Sequence, residues 1–480
     1  MREYKLFAQR IILVGLTRFV NNFKGVILLP VLTKNLPIQD YGIWAQVMVT
    51  IGIVPGIMSL GLPGAMARFM PSVKVKEKFQ DMFYSFLSVA AVTGMFAAFL
   101  IYLASGPIAD LLFDGNAFIV KLLSIVVFFE TIEKVLFNYF RATEQIKKDS
   151  ILRFSKNFLM VVLVSIFVLQ GGGLLGAIAG LLAKSVVVFL MAFVIIVSQL
   201  GFKLPKFGGL KGYLKYGIPL VPSRMSSWIV RSSDRYVIGG YLGTSAVGYY
   251  SPGYTLGNIV QMFVAPLNFI LPMVLSRHYD GDNLDEVKKY LGYSLKYFLA
   301  VAIPAVFGLS LLSKPMLVIL STPEIAEQSY IITPFVALSA LLFGVFAVFN
   351  KVAMLVKKTQ VIGIIWLIAA VLNLGLNLIL VPYIGIIAAA TTTLLSFIVV
   401  LAFMAYYSLR FFQFDMNFRF IVKSLVASLL MSGIILMWSP TGVLSTLAII
   451  GVCAVSYFAV LVLLKGFRRE EIEFFKSFIR

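Results

Sequence analysis

Apolar runs of about 20 residues, long enough to cross a bilayer core as a helix, recur along the whole chain and are separated by short polar stretches. They are Ile11–Leu32, Gly42–Leu62, Met82–Ala104, Phe118–Phe140, Phe158–Leu169, Leu174–Val197, Ile218–Ile238, Tyr249–Pro272, Leu291–Leu312, Tyr330–Ala353, Val361–Leu380, Ile384–Tyr407, Phe420–Trp438 and Val443–Leu464. The pattern predicts an all-α integral membrane protein of about 14 transmembrane helices. The fifth run is the weakest and begins further back, near Leu152, with Lys156 and Asn157 at its head. Gly171-Gly172-Gly173 and Ser439-Pro440-Thr441-Gly442 have the composition of tight turns.

Composition agrees with this pattern. Of the 480 residues, 60% are apolar and 13% charged, about half the charged fraction of a soluble domain. Cys453 is the only cysteine, which excludes an intramolecular disulfide. His278, the only histidine, falls in a charged stretch read as a solvated loop, so no metal site and no His-dependent catalytic pair is expected. No cleavage site of small residues follows a short apolar run near Met1, and no removable signal peptide is expected.

The net charge of +20 is not a nucleic-acid footprint, because it is spread over many short loops. Arg68, Lys74, Lys76, Lys78, Arg141, Lys147, Lys148, Lys203, Lys206, Arg277, Lys288, Lys289, Lys357, Lys358, Arg410 and Arg419 fall on one side of the expected topology. The other side has little beyond Lys34, Lys121 and Lys314, with Asp110, Asp114, Glu324 and Glu327. This asymmetry places the first side, and both termini, in the cytoplasm. The expected location is the cytoplasmic (inner) cell membrane, with the bilayer as partner and no nucleic acid.

An internal repeat is present. Leu36–Gly42 echoes Leu242–Gly248 at an offset of 206, and the same offset joins Arg18 to Arg224. Gly173–Ala177 echoes Gly385–Ala389 at 212. Six spans separate the copies, an even number, so both halves have one orientation and the substrate path is expected between them. The expected organisation is a lobe of spans 1–6 over residues 1–202, a cytoplasmic linker over 203–216, a lobe of spans 7–12 over 217–408, and two further spans with a basic tail over 409–480.

The functional signal is charge inside the spans. Arg18, Asn21, Asn22 and Lys24 lie in the first; Glu130, Glu133, Lys134, Asn138 and Arg141 in the fourth; Arg224, Arg231, Asp234 and Arg235 in the seventh. Lys184 lies in the sixth, Lys351 in the tenth, and Asn373 and Asn377 in the eleventh. An Arg or Lys at mid-membrane costs about 2.5–3.5 kcal/mol on the insertion scale, so these groups should face partners or water. At about 100° per residue, Arg224, Arg231 and Arg235 share a sector, as do Glu130, Lys134, Asn138 and Arg141. Arg18 and Asn22 align in the same way. A wet basic cavity between two lobes would satisfy them, and phosphate is the natural anion for guanidinium. Milder readings stay open. Glu130 can pair with Lys134 along the helix, Asp234 can neutralise Arg231 or Arg235, and Arg141 and Lys351 can snorkel from near the loops. Pro219 and Pro222, just before these arginines, are read as a hinge.

The stretch Val31-Leu32-Thr33-Lys34-Asn35-Leu36-Pro37-Ile38-Gln39-Asp40-Tyr41-Gly42, with Asp234-Arg235-Tyr236-Val237-Ile238-Gly239 and Val247-Gly248-Tyr249-Tyr250, resembles the junctions of the polysaccharide flippases of the MOP superfamily (Wzx-type O-antigen and repeat-unit exporters). The resemblance implies a flippase, not an enzyme. Its substrate would be a polyprenyl diphosphate-linked oligosaccharide, carried from the cytoplasmic to the outer leaflet by alternating access. It implies Arg18, Lys24, Lys134, Arg224, Arg231 and Arg235 as substrate-binding cations, and Asn21, Asn22, Asn138, Asn373 and Asn377 as polar cavity residues. It implies no cofactor beyond coupling to an H+ or Na+ gradient, for which Glu130, Glu133 and Asp234 are either carriers or charge balance. Other polysaccharide-assembly membrane proteins are further partners in this reading. A lipid II flippase shares the same features, and a multidrug antiporter shares the fold but would need uncompensated carboxylates. A membrane-embedded polysaccharide polymerase would need a large external loop or a catalytic His or acidic motif.

The orientation is testable in a Cys453→Ser background. Cysteine placed by Lys78→Cys or Lys358→Cys should react with an impermeant maleimide only from the cytoplasmic side, and by Lys121→Cys or Lys314→Cys only from outside. The reverse labelling would invert the topology.

Overall fold

The computed structural model describes residues 24–438, 440–467 and 471. All regular elements among them are helical. In chain order they are α1 (24–35), α2 (Ile38–Met58), α3 (Leu62–Phe69), α4 (Lys76–Leu103), α5 (Ser105–Leu112), α6 (Ala117–Ala142), α7 (Ile146–Phe167), α8 (Gly173–Leu200), α9 (Leu210–Gly217) and α10 (Val221–Ser232). These are followed by α11 (Asp234–Gly257), α12 (Val264–Asp280), α13 (Leu284–Leu311), α14 (Ser313–Leu320), α15 (Pro323–Ser329), α16 (Ile332–Leu355), α17 (Thr359–Ile384), α18 (Ile386–Leu409), α19 (Phe418–Met437) and α20 (Val443–Leu463).

Among the described residues, ten helical stretches are long and apolar enough to cross a membrane, or eleven if α5 and α6, bent by 111°, count together. The sequence count of fourteen is not reached by length and composition alone, for identifiable reasons. Ile146–Leu200 and Asp234–Asp280 are continuous stretches of 55 and 47 residues; at 1.5 Å per residue the first would run about 80 Å. Each is interrupted at a glycine in the positive-φ region, Gly171 (φ 86°) and Gly243 (φ 82°), where a side chain would be strained. The first expected span is described only from Lys24, and the seventh is divided near Ser233. Pro219 and Pro222 fall in first turns, Pro219 in a short 3-10 segment and Pro222 at the start of α10. Helical residues run without a gap from Leu210 to Ser232, so the two prolines stand inside that run, where the α-helix gives way to a 3-10 turn at Ile218–Leu220. His278 sits in the last turn of α12, half-buried and stacked on Tyr290 at 5.3 Å, rather than in a loop.

The chain divides into two compact units. One holds residues up to Ser251 together with Trp366–Thr392, the other Pro252–Ile365 and the residues from Thr393 on. In the first, α6 is the central helix. Val126, Val127, Val135, Leu136 and Phe140 are fully buried on it, and α2, α4, α7 and α8 pack around it. The start of the linker is clasped to α4: Asp81 accepts from the backbone N–H of Lys206 and, at 3.1 Å, of Gly208. In the second unit α13 packs on α16 and α19. Lys296 of α13 is buried, donates to both Glu471 oxygens at 2.7 and 2.9 Å, and lies over the Phe420 and Phe467 rings.

The repeat is visible in the elements. The 28-residue α4 followed by the eight-residue α5 recurs as the 28-residue α13 followed by the eight-residue α14, each 208 residues further on (284 against 76, 313 against 105). Both short helices open with Ser-x-Pro. Within the first unit, Gly42 of α2 and Gly248 of α11 make a reciprocal contact. A Cβ on Gly42 would lie 1.9 Å from the Thr244 carbonyl oxygen, and one on Gly248 would lie 2.4 Å from the Ile38 carbonyl oxygen. Thr244 and Gly248 are Ile38 and Gly42 advanced by 206, so exchanging the two segments maps the contact onto itself, as in a two-fold interface.

Overpacking this crossing should be costly. Gly42→Ala is expected to lower stability by about 1–3 kcal/mol, read as a fall in Tm in detergent. Gly56→Ala on the same helix, where nothing lies within 4 Å of an added Cβ, should be neutral or slightly stabilising. Equal behaviour of the two variants would remove the steric argument.

Candidate functional site

The site is built by α6, α7 and α8. On α8, Gly176 and Gly180 stand four apart, facing α7 so closely that added Cβ atoms would lie 2.8 Å from Phe167 O and 2.9 Å from Leu163 O. Small residues at this spacing let helix backbones approach within a membrane. One turn further on the same face is Lys184. Its side chain is 1% exposed, and its ammonium donates to Glu130 Oε1 on α6. From α7, Lys156 Nζ donates to Glu130 Oε2 at 2.9 Å and also to Glu133 Oε1. Two lysines and two glutamates from three helices thus form a buried quartet with no net charge.

Further cations stand around it. Lys24 of α1 is close enough to feel the charge of all four members. Lys134, one turn after Glu130, interacts with Lys156, both glutamates and Arg224, and Arg224 interacts with Arg141. Lys24 and Lys134 are half-buried, whereas Arg141 and Arg224 are exposed. Six cations therefore meet two carboxylates, leaving four positive charges, those of Lys24, Lys134, Arg141 and Arg224, without an acidic partner among the described residues. Asn138, half-buried, stands one turn after Lys134 on the same helix face.

The other expected site residues lie elsewhere. Arg18, Asn21 and Asn22 lie outside the described residues. Arg231 and Arg235 form one row, Arg231 Nε donating to Ser227 O at 3.1 Å and Arg235 Nη1 to Arg231 O at 3.3 Å. Arg235 is buried and ion-paired with Asp234 at 2.9 Å, and Asp234 also accepts from the Tyr250 hydroxyl. Asp234 is thus placed to balance charge. Asn373 and Asn377 of α17 are fully buried in a ladder, Asn377 Nδ2 donating to Asn373 Oδ1 at 3.2 Å and Thr392 Oγ1 to Asn377 Oδ1 at 2.7 Å. In the second unit, Lys351 is buried and donates to Asn268 Oδ1 at 2.7 Å. Among the described residues, no group of three or more His, Cys, Asp or Glu could hold a metal ion.

Lys156 and Lys184 are the members that sequence reasoning left out of the site. Their signal was a count: two glutamates on one span need cations, and each neighbouring span carries a lysine. The Glu130–Lys134 pair, the milder reading of these charges, is not formed; Glu130 bonds across helices instead.

A bundle of this kind, with positive charge gathered in its first unit, has the fold of the MOP superfamily of transporters. The chain is similar in structure to lipid II flippase MurJ in its inward closed conformation, with a TM-score of 0.74 at 17% identity, covering 98% of this chain and 100% of that one. It is also similar to an inward-facing multidrug resistance MATE family transporter of the MOP superfamily, with a TM-score of 0.65 at 16% identity, covering 82% and 94%. A family model described as "Polysaccharide biosynthesis protein" matches residues 31–328, and the chain belongs to that family. In sequence it is similar to the probable low-salt glycan biosynthesis flippase Agl15 of Haloferax volcanii, 26% identical over 273 residues, 55% of this chain and 57% of that protein. The chain spans about half the length of the curated relatives it matches.

The quartet should behave as one unit. Lys184→Met leaves Glu130 short of a donor in an apolar setting and is expected to cost about 3–5 kcal/mol. Adding Glu130→Leu should recover much of that loss. Additive losses in thermal unfolding of the two single variants and the double variant would show that the pair is not coupled.

Proposed function

We propose that this chain is a flippase that carries a polyprenyl diphosphate-linked oligosaccharide from the cytoplasmic to the outer leaflet by alternating access through a cationic central cavity. The observation that carries the reading is the uncompensated charge of Lys24, Lys134, Arg141 and Arg224 beside a neutral quartet. Half-buried cations without acidic partners, Lys24 and Lys134, are costly within an apolar span, and a diphosphate supplies the missing charge with oxygens suited to guanidinium and ammonium. The name of the Haloferax relative, a probable glycan biosynthesis flippase, supports the same substrate class. Two six-span lobes over 1–202 and 217–408, joined by the 203–216 linker and followed by two spans over 409–480, complete the proposal. The chain would sit in the cytoplasmic membrane with both termini inside, draw on an H+ or Na+ gradient, and work beside other proteins of polysaccharide assembly. Translocation makes and breaks no covalent bond in the substrate, so the quartet and its flank act by binding alone.

A second reading, transport of lipid II, is favoured by the similarity to MurJ over the full chain. Both ligands are lipid diphosphates and would use the same cations. The multidrug antiporter reading is disfavoured by the sign of the site, since a cationic drug would meet four like charges.

Thermal stabilisation separates the classes. A ligand at about 100 times its Kd should stabilise the folded protein by roughly 2.7 kcal/mol. A polyprenyl diphosphate-linked sugar should raise Tm, and the triple variant Lys24→Ala, Lys134→Ala, Arg224→Ala should lose the effect. Stabilisation by a cationic dye instead would refute the proposal.

A further inference from the structure

Three carboxylates lie within the expected spans around the site, and their bonding differs. Both oxygens of Glu130 accept from lysine ammonium groups, Oε1 from Lys184 and Oε2 from Lys156. Both oxygens of Asp234 are engaged, Oδ1 by Arg235 and Oδ2 by Tyr250. Glu133 differs: Oε1 accepts from Lys156, whereas Oε2 is buried with no hydrogen-bond partner. A buried charged oxygen without a donor is costly, and a proton bound there would remove the charge.

The surroundings fix the consequence. From α6, Glu133 faces Glu130; from α7, Lys156; from α8, Lys184. Lys24 of α1 and Lys134 lie within electrostatic reach of it. The helices α2, α3, α4 and α5 also pack on α6, and their charged residues are Asp40 on α2, Arg68 on α3, Lys76, Glu77, Lys78 and Asp81 on α4, and Asp110 on α5. Protonating Oε2 therefore turns a neutral quartet into a cationic one directly beside the basic flank.

We propose that Glu133 is a proton site linked to anion binding: a proton on Oε2 tightens the hold of Lys24, Lys134 and Arg224 on a bound anion, and the anion in turn draws a proton onto Glu133. The linkage is reciprocal by thermodynamic necessity. Glu130 and Asp234, saturated by their partners, balance charge and do not carry the proton. The inference rests on the anionic-substrate reading and adds the sign of its coupling. Two unit charges about 10 Å apart at an effective dielectric of about 20 change binding roughly tenfold.

The test uses the full chain in detergent and two anions whose own charge is fixed over the range: a polyprenyl diphosphate-linked sugar, in which both phosphates are esterified at either end, and inorganic sulfate. Kd is measured at about pH 5.5 and about pH 7, inside the usual window for a perturbed carboxyl. Wild type should bind roughly tenfold more tightly at the acid end. Glu133→Gln, which keeps an acceptor for Lys156 and mimics the protonated acid, should bind with the acid-end affinity at both values. Lys24→Met should weaken binding but keep the pH slope. A slope that survives in Glu133→Gln, or a wild type without one, overturns the proposal. If Glu133→Gln does not fold, calorimetry on wild type in two buffers of different ionisation enthalpy decides: proton uptake on binding supports the site, and none refutes it. Sulfate binding with the slope, but no binding of the lipid-linked sugar, would leave the proton site standing and remove the substrate reading. Lipid-linked sugar binding without a slope would do the opposite. If neither anion binds, both fail.

Discussion

The ion quartet of Glu130, Glu133, Lys156 and Lys184 is the constraint around which the first unit is arranged. A lysine with 1% of its side chain exposed, in an apolar helix, has a stable home only where a carboxylate meets it. That carboxylate must come from a neighbouring helix, because the face of α8 bearing Lys184 is otherwise small or apolar. The glycines at 176 and 180 bring α7 close to α8, and the central position of α6 puts both glutamates within reach of lysines on two helices. A buried ion pair is weak evidence for stability as such, since apolar replacements of similar volume are often as stable or more so. Its better-supported use is to fix how elements are arranged, which fits four charged groups that tie three helices together.

The second constraint is the close crossing at Gly42 and Gly248. There the internal repeat becomes a physical contact, because two segments 206 residues apart touch through equivalent atoms. The sequence echo around Leu36–Gly42 and Leu242–Gly248 was legible because close approach demands glycine in both copies, and a demand of that kind survives when the surrounding apolar residues drift. The α4–α5 and α13–α14 correspondence was not legible, although both short helices open with Ser-x-Pro. Eight-residue amphipathic turns leave no run long enough to stand out from a loop.

The helical membrane class was legible throughout, since length and apolarity determine it. The site was legible in part. Intramembrane charge singled out Lys24, Glu130, Glu133, Lys134 and Arg224, which the structure brings into one neighbourhood. Helical phase alone grouped Arg235 with Arg224, but Arg235 is buried against Asp234, since phase gives direction and not what a side chain meets. Lys156 and Lys184 were visible as charges and could not be joined to the glutamates without knowing which helices adjoin. At Pro219 and Pro222, read from sequence as a hinge, the helical run changes from α to 3-10 over Ile218–Leu220, as the missing N–H of a proline inside a helix favours. The breaks at Gly171 and Gly243 were legible, because both glycines fall between apolar runs; what hydropathy did not show is that helical residues continue through them, from Ile146 to Leu200 and from Asp234 to Asp280.

Fold similarity alone cannot choose among substrates, because transporters that share this architecture include lipid flippases and drug antiporters. The sign of the charge left over after internal pairing would separate an anionic substrate from a cationic one, though not one lipid diphosphate from another. In this chain both buried glutamates are taken up by lysines of the same unit. What remains is an excess of four cations, two of them half-buried at membrane depth, where an uncompensated ammonium is expensive. An anion that binds there relieves that cost as well as making new bonds. The same accounting explains why the flank needs the quartet beneath it. Were Glu130 and Glu133 unpaired, their two charges would neutralise half of the flank's four.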